Sequence, residues 1–174
     1  LKKPENYLRN NIIAFFNIIE QSQKNNIKHL LYASSSSVYG NQKKSPLRED
    51  FNTDQPIQFY AATKKSNEVI ANAFSALYKL KTTGLRFFTV YGPWGRPDMS
   101  LFIFTKKILE GKTIDIFNYG NHKRDFTYVD DIANAIEKLI FKKGNNLCNI
   151  FNIGNTKQVN LMDAVNQIEI LLKT

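Results

Sequence analysis

The 174-residue chain has a single cysteine, Cys148, and only two histidines, His29 and His122. One cysteine excludes an internal disulfide framework and a cysteine-rich zinc site. Two histidines so far apart in sequence give no reason to expect a metal. No apolar run reaches the roughly 18 residues that a membrane-spanning helix needs. A signal-peptide pattern of charged start, apolar run and small-residue cleavage site is missing too, so the cytoplasm is the expected location. There is no initiating methionine: Leu1 begins inside a helical pattern, and the chain reads as a fragment or the ordered part of something longer. Eight glycines and five prolines are too few for a collagen-like or low-complexity chain. No internal repeat, flexible linker or nucleic-acid motif is visible.

What is present suffices for a sizeable core. Hydrophobic residues make up 43% and aromatics 13%, against 22% charged, with a mean hydropathy of −0.36. The net charge of +9 favours anionic partners such as nucleotides and phosphates. The lysines, however, come as scattered pairs (Lys43-Lys44, Lys64-Lys65, Lys106-Lys107, Lys142-Lys143), more the pattern of a solvated surface than of a binding tract.

Apolar spacing predicts a helix over 5–26, through Ile12, Phe15, Phe16 and Ile19. Residues 28–33 form a short apolar run, read as a buried strand ending in Ser34–Ser37. Residues 40–56 are polar and hold two prolines, which predicts a long loop. A second helix is expected from Ile57 to about Leu80, with Val69, Ala73, Phe74 and Leu77 facing inward, then a strand over 82–90 and a Gly/Pro-rich loop over 92–97. A helix at 100–110, strands at 113–117 and 125–128, a helix capped by Asp130, a strand at 149–153 and a last helix capped by Asn160 complete the pattern. Helix and strand alternate, which argues for an α/β fold with a largely parallel sheet.

Tyr60 and Lys64 lie four apart at the start of a predicted helix and so share one face. A cation near a phenol stabilises the phenolate, which suits a general base. By itself such a pair is as well explained by two surface residues. Ser34–Ser37 adds context, because ligands of open α/β sheets bind beyond the carboxyl ends of strands, although serines also favour turns and helix caps.

The string Leu31-Tyr-Ala-Ser-Ser-Ser-Ser-Val-Tyr-Gly40 followed by Tyr60-Ala-Ala-Thr-Lys64 resembles the extended short-chain dehydrogenase/reductase family. Leu85-Arg-Phe-Phe-Thr-Val-Tyr-Gly-Pro-Trp-Gly-Arg-Pro-Asp-Met99 is similar to one branch, the UDP-glucuronate 4-epimerases. Arg124-Asp-Phe-Thr-Tyr-Val-Asp-Asp131 and Phe151-Asn-Ile-Gly154 also match family motifs. The resemblance implies the C-terminal part of a Rossmann-type doubly wound parallel sheet over 1–92 and 124–153, with part of a substrate lobe over 93–123 and 154–174. It implies NAD as cofactor, a UDP-sugar substrate, 4-epimerisation through a 4-keto sugar, a role in surface polysaccharide precursors, and a homodimer for the intact parent.

Carried over residue by residue, the resemblance makes Tyr60 the general base toward the sugar 4-hydroxyl. Lys64 assists it and holds the nicotinamide ribose, and Ser35 binds the same hydroxyl. Asn10 and Phe87 belong to the cofactor side, with Phe88 beside the pocket. Phe117 would stack on uracil, Arg124 would meet the diphosphate, and Ser36, Ser37, Thr89 and Arg96 would receive the sugar carboxylate. Core packing explains the phenylalanines equally, and solvation the two arginines. Related dehydratases and decarboxylases carry acidic residues where Ser36 and Ser37 stand, so epimerisation is favoured over elimination. The family's glycine-rich turn is not among these residues: no Gly-x-x-Gly-x-x-Gly or Gly-x-Gly-x-x-Gly occurs, and the first βαβ unit is absent. A truncated, non-catalytic remnant and a UDP-galactose 4-epimerase are the competing expectations.

Overall fold

The computed structural model describes residues 3–172 except 143 and 145, and leaves out the side chain of Phe117. The chain divides into two compact units, Leu1–Phe88 with Ala135–Ile153, and Thr89–Asn134 with Gly154–Thr174.

The first unit opens with a helix whose Pro4 occupies the first turn, where no backbone N–H partner is needed. It runs as α1 (Pro4–Tyr7), a π-helical stretch over Leu8–Ile13, and α2 (Ala14–Lys24). Asn25 and Asn26 end it, Asn26 at φ 52°, a conformation asparagine tolerates. Then come β1 (Leu30–Ser35), a 3-10 turn over Ser36–Tyr39, a long loop, and α3 (Phe59–Tyr78). α3 stops at Lys79, which turns left-handed at φ 59°. β2 (Thr82–Phe87) follows, and after the second unit's segment β5 (Cys148–Ile153) completes a parallel sheet of order β1-β2-β5. Ser35, Phe87 and Ile153 lie in register at its carboxyl edge. Parallel neighbours require a crossover, and α3 supplies it between β1 and β2. Ile19, Tyr32, Ala71 and Leu80 form the core between helices and sheet.

The inward face of α3 differs from the expected one. Val69 and Leu77 are 57% and 72% exposed, Ala73 is exposed and Phe74 half-buried. The buried stripe is Ala61, Thr63, Asn67, Glu68, Ala71 and Ser75. Polar residues can be buried here because each finds a partner: Glu68 binds Arg86, and Ser75 shares a 2.8 Å hydrogen bond with Thr82.

In the second unit β3 (Thr89–Tyr91) pairs parallel with β4 (Lys123–Tyr128), and β4 pairs antiparallel with β6 (Gln158–Asn160). The single strand expected over 82–90 is therefore two strands in two sheets, parted at Phe88. α4 (Ser100–Leu109) and α6 (Leu161–Leu172) pack through Phe104, Leu161 and Val165. The strand expected at 113–117 does not form: Ile114 and Ile116 pack against that cluster without a ladder partner. α5 (Val129–Ile140) begins before Asp130, so Asp130 is not its cap. With Asp131 it lies in the first turn, where negative charge suits the helix dipole.

Candidate active site

β1 presents its carboxyl end as Ser34-Ser35, and alternation along the strand separates the two side chains. Ser34 turns into the core and donates a 2.6 Å hydrogen bond to Glu68. It is thus held inside the core, so Ser34 does not join the other serines of the Ser34–Ser37 run at the strand end. Ser35 accepts from the Ser37 backbone N–H and donates to the Ser37 hydroxyl, both at 3.2 Å, capping the turn that carries Ser36 and Ser37. Phe87 pairs with Ser35 across the sheet and is half-buried.

Tyr60 and Lys64 stand on the first turns of α3. The Lys64 ammonium lies 5.8 Å from the Tyr60 ring centroid and donates to the Ala33 carbonyl at 3.0 Å, so one turn of helix is tied to the end of β1 beside Ser35. Burial holds the Lys64 pKa below the ordinary lysine range. The Tyr7 ring meets Tyr60 edge-on at 6.1 Å.

Asn10 lies exposed in the π-helical stretch and lines a cavity of about 250 Å3 together with Lys64, Ala33 and Tyr32. The hydrogen bond that joins this stretch to α3 comes from its neighbour. Asn11 Nδ2 donates to Thr63 Oγ1 at 2.8 Å, and that hydroxyl donates to the Tyr60 carbonyl at 2.7 Å. Oriented by its neighbours, the Asn67 amide donates to the carbonyls of Thr63 and Asn11 at 3.2 Å. Asn11, which the sequence pattern did not single out, is thus the residue of the π-helical stretch whose side chain bonds α3.

A buried network behind the serines was not foreseen. Arg86 grips Glu68 with two 2.9 Å bonds, their side chains 4% and 7% exposed. It also donates to the Tyr39 hydroxyl at 2.9 Å and stacks on that ring at 4.8 Å. Tyr39 in turn donates to Asn152 on β5. Burial would lower the Arg86 pKa, but Glu68 and Tyr39 hold it above the usual value, so the cation is permanent. The signal was an arginine inside a buried strand, a position that demands a partner.

The second unit gathers Thr89 and Arg96 on a mostly apolar cavity of about 380 Å3 shared with Tyr91, Met99 and Phe102. Arg96 is 74% exposed, and its guanidinium forks onto Asp98 at 2.9 and 2.5 Å. Arg96 holds the Asp98 carboxyl below the usual carboxylate range. Gly92, at φ 146°, is required in this loop because a Cβ there would lie 2.6 Å from Val129. Arg124 is exposed on β4 opposite Val159 and does not line the cavity. The Phe117 side chain lies outside the described residues. Among the described residues no three His, Cys, Asp or Glu cluster as a metal site would need, and no helix is long and apolar enough to cross a membrane.

A family model described as the NAD dependent epimerase/dehydratase family matches residues 1–154. Protein CapI of Staphylococcus aureus is 50% identical, over 97% of this chain and 55% of its own length. UDP-glucuronate 4-epimerase 3 of Arabidopsis thaliana is 46% identical, over 99% of this chain and 44% of its own. The solved UDP-glucuronic acid 4-epimerase from Bacillus cereus, in complex with UDP-glucuronic acid and NAD, superposes with a TM-score of 0.89 at 32% identity, over 96% of this chain and 52% of that one. The chain spans about half the length of the curated relatives it matches.

Proposed function

The chain belongs to the NAD dependent epimerase/dehydratase family, and from that premise we propose that it carries the catalytic centre of an NAD-dependent UDP-sugar 4-epimerase acting on a uronic acid, UDP-glucuronate or UDP-galacturonate. The observation that carries this reading is the Tyr60–Lys64 turn fastened to the Ala33 carbonyl beside Ser35. We assign the first unit to the cofactor domain and the second to the substrate lobe.

The residues fit one end of NAD. Lys64 uses one of its three donors on Ala33 and, with Asn10, borders a cavity suited to the nicotinamide ribose, with Phe87 at the neighbouring strand end. No glycine-rich turn for the pyrophosphate is among the 174 residues. NAD, when bound, supplies the acceptor and donor of the C4 hydride. Tyr60 takes the 4-hydroxyl proton and later returns it, so proton and hydride balance over the cycle. Lys64 contributes a nearby positive charge that favours the phenolate, and Ser35 holds the C4 oxygen as hydroxyl and as ketone. Ser36, Ser37, Thr89 and Arg96 receive the carboxylate, where a guanidinium offers paired donors. Phe117 is assigned to the uracil and Arg124 to the diphosphate. A homodimer is proposed through the outer faces of α2 and α3, where Phe16, Val69, Leu77 and Tyr78 are exposed. A surface polysaccharide precursor as product rests on resemblance alone.

The test is to join this chain behind the N-terminal half of the staphylococcal relative and assay UDP-glucuronate with NAD. UDP-galacturonate should form. A folded fusion that converts neither uronate would overturn the reading, and one that prefers UDP-glucose would overturn the choice of substrate.

A further inference from the structure

A third cavity, of about 350 Å3, opens at the opposite end of the first unit's sheet, where its three parallel strands begin. Its volume falls within the roughly 300–1,000 Å3 of small-molecule sites. β1 has six residues, and at roughly 3.3 Å per residue the cavity lies about 16 Å from the Ser35 end. It is therefore separate from the Tyr60–Lys64 centre.

Its wall holds His29, Lys81, Thr83, Lys142, Asn149 and Phe151, and among the described residues no carboxylate lines it. Lys81 Nζ donates to the Lys142 carbonyl at 3.1 Å, and Lys142 Nζ sits 4.6 Å from the centroid of the Phe151 ring. Both ammonium groups are thus held in place by a neutral partner. Among the described residues neither forms an ion pair, whereas Lys24, Lys65, Lys106, Lys107 and Lys112 each face a carboxylate. His29 Nε2 and the Thr83 hydroxyl lie 2.8 Å apart, and the Asn149 amide donates to the Asn146 carbonyl at 3.1 Å with a second N–H to spare.

We propose that this cavity binds a phosphate group, free or on a small ester, with Lys81 and Lys142 supplying the charge and the Asn149 amide a directional donor, beside a His29 ring already bonded to Thr83. Two cations without a carboxylate partner among the described residues, beside a spare amide N–H, match a compact dianion better than a carboxylate-bearing peptide or an apolar ligand.

His29 supplies the readout. Burial first and then the neighbouring Lys81 charge hold its pKa below the ordinary histidine value, while the Ile140 backbone works weakly the other way. Lys81 and Lys142 line the cavity with it, from the residue before β2 and from the segment after α5, Lys28 adjoins it, and Cys148 is the titratable group of β5. An anion seated between the lysines must favour protonated His29, and protonation must in turn tighten the anion.

The test follows both histidine rings by NMR in the whole chain from pH 5 to 8, in inorganic phosphate and in chloride at matched ionic strength. His122, in the other unit, is the internal control. Phosphate should raise the His29 pKa by about 0.5–1 unit and leave His122 in place. Lys142→Ala should weaken phosphate binding about tenfold. Tighter binding of glucose 1-phosphate than of inorganic phosphate would mark an ester as the ligand, and equal binding the free anion; either upholds the site. The same shift in chloride as in phosphate, or unchanged affinity in Lys142→Ala, would overturn it.

Discussion

Tyr60 and Lys64 are adjacent because four residues make about one turn of α3, and that much was legible from spacing alone. What spacing could not show is that Lys64 is also held from β1 through the Ala33 carbonyl. In the joined enzyme Tyr60→Phe should lower turnover by about 10²–10⁴-fold while leaving KM for the sugar nearly unchanged. Retained turnover would remove Tyr60 as the base. Arg96 was also legible, as a single cation in a Gly/Pro loop, but its partner was not: Asp98 occupies both prongs of the guanidinium. If Arg96 receives the sugar carboxylate as proposed, that carboxylate takes Asp98's place. The contact is exposed, so the exchange is cheap. Arg96→Ala should reduce kcat/KM for UDP-glucuronate by roughly 10- to 150-fold, the worth of a charge-assisted hydrogen bond once bound substrate shelters it, and leave any UDP-glucose reaction unaltered. Equal losses for both sugars would place Arg96 outside the carboxylate site.

At the scale of elements, strands β1 and β5 and helix α3 could be read from apolar runs and periodicity, because burial against a sheet leaves that signature. The elements missed are those held by partners distant in sequence. β3 and β6 are three residues long and exist through pairing with β4; Ile114 and Ile116 look like a strand and lack a neighbour to pair with. The inward face of α3 differs from the periodicity because Glu68 is buried by Arg86, eighteen residues later on strand β2. Removing one member of such a pair strands the other charge. Glu68→Ala should cost about 3–5 kcal/mol in urea unfolding, and Glu68→Met with Arg86→Met should recover most of it. A loss under about 1 kcal/mol for the single variant would deny the pair its role. Beside it, the Tyr32 hydroxyl is buried without a hydrogen-bond partner among the described residues and lies 2.6 Å from where a Cβ on Gly84 would stand. Tyr32→Phe should therefore stabilise the chain by about 1 kcal/mol and soften the strain of Gly84→Ala. Marked destabilisation by Tyr32→Phe would reveal a hydroxyl partner.

At the scale of the molecule, the division of labour follows the location of charge and glycine. Dinucleotides are gripped chiefly at the pyrophosphate, where a glycine-rich turn brings backbone N–H groups and a helix N-terminus close to the negative charge. None of the eight glycines here builds that sequence. Gly40, at φ 58°, serves the loop after β1, where a Cβ would come within 2.7 Å of the Gln55 carbonyl, and Gly92 serves the loop after β3. What the proposed reading leaves for the cofactor is the small cavity at Asn10 and Lys64, assigned there to one ribose. A single charged contact of roughly 1.5–3 kcal/mol falls short of the ~4 kcal/mol that corresponds to millimolar affinity. Calorimetry on the 174-residue chain should accordingly find NAD binding of millimolar strength or weaker. Joining it to a relative's glycine-rich half should tighten that by at least about a hundredfold, and the gain should survive Tyr60→Phe, because the added grip is on phosphate and leaves the phenol out. Micromolar affinity in the unjoined chain would mean that residues outside the Asn10–Lys64 cavity hold the cofactor, and the assignment of the first unit would have to be redrawn around them.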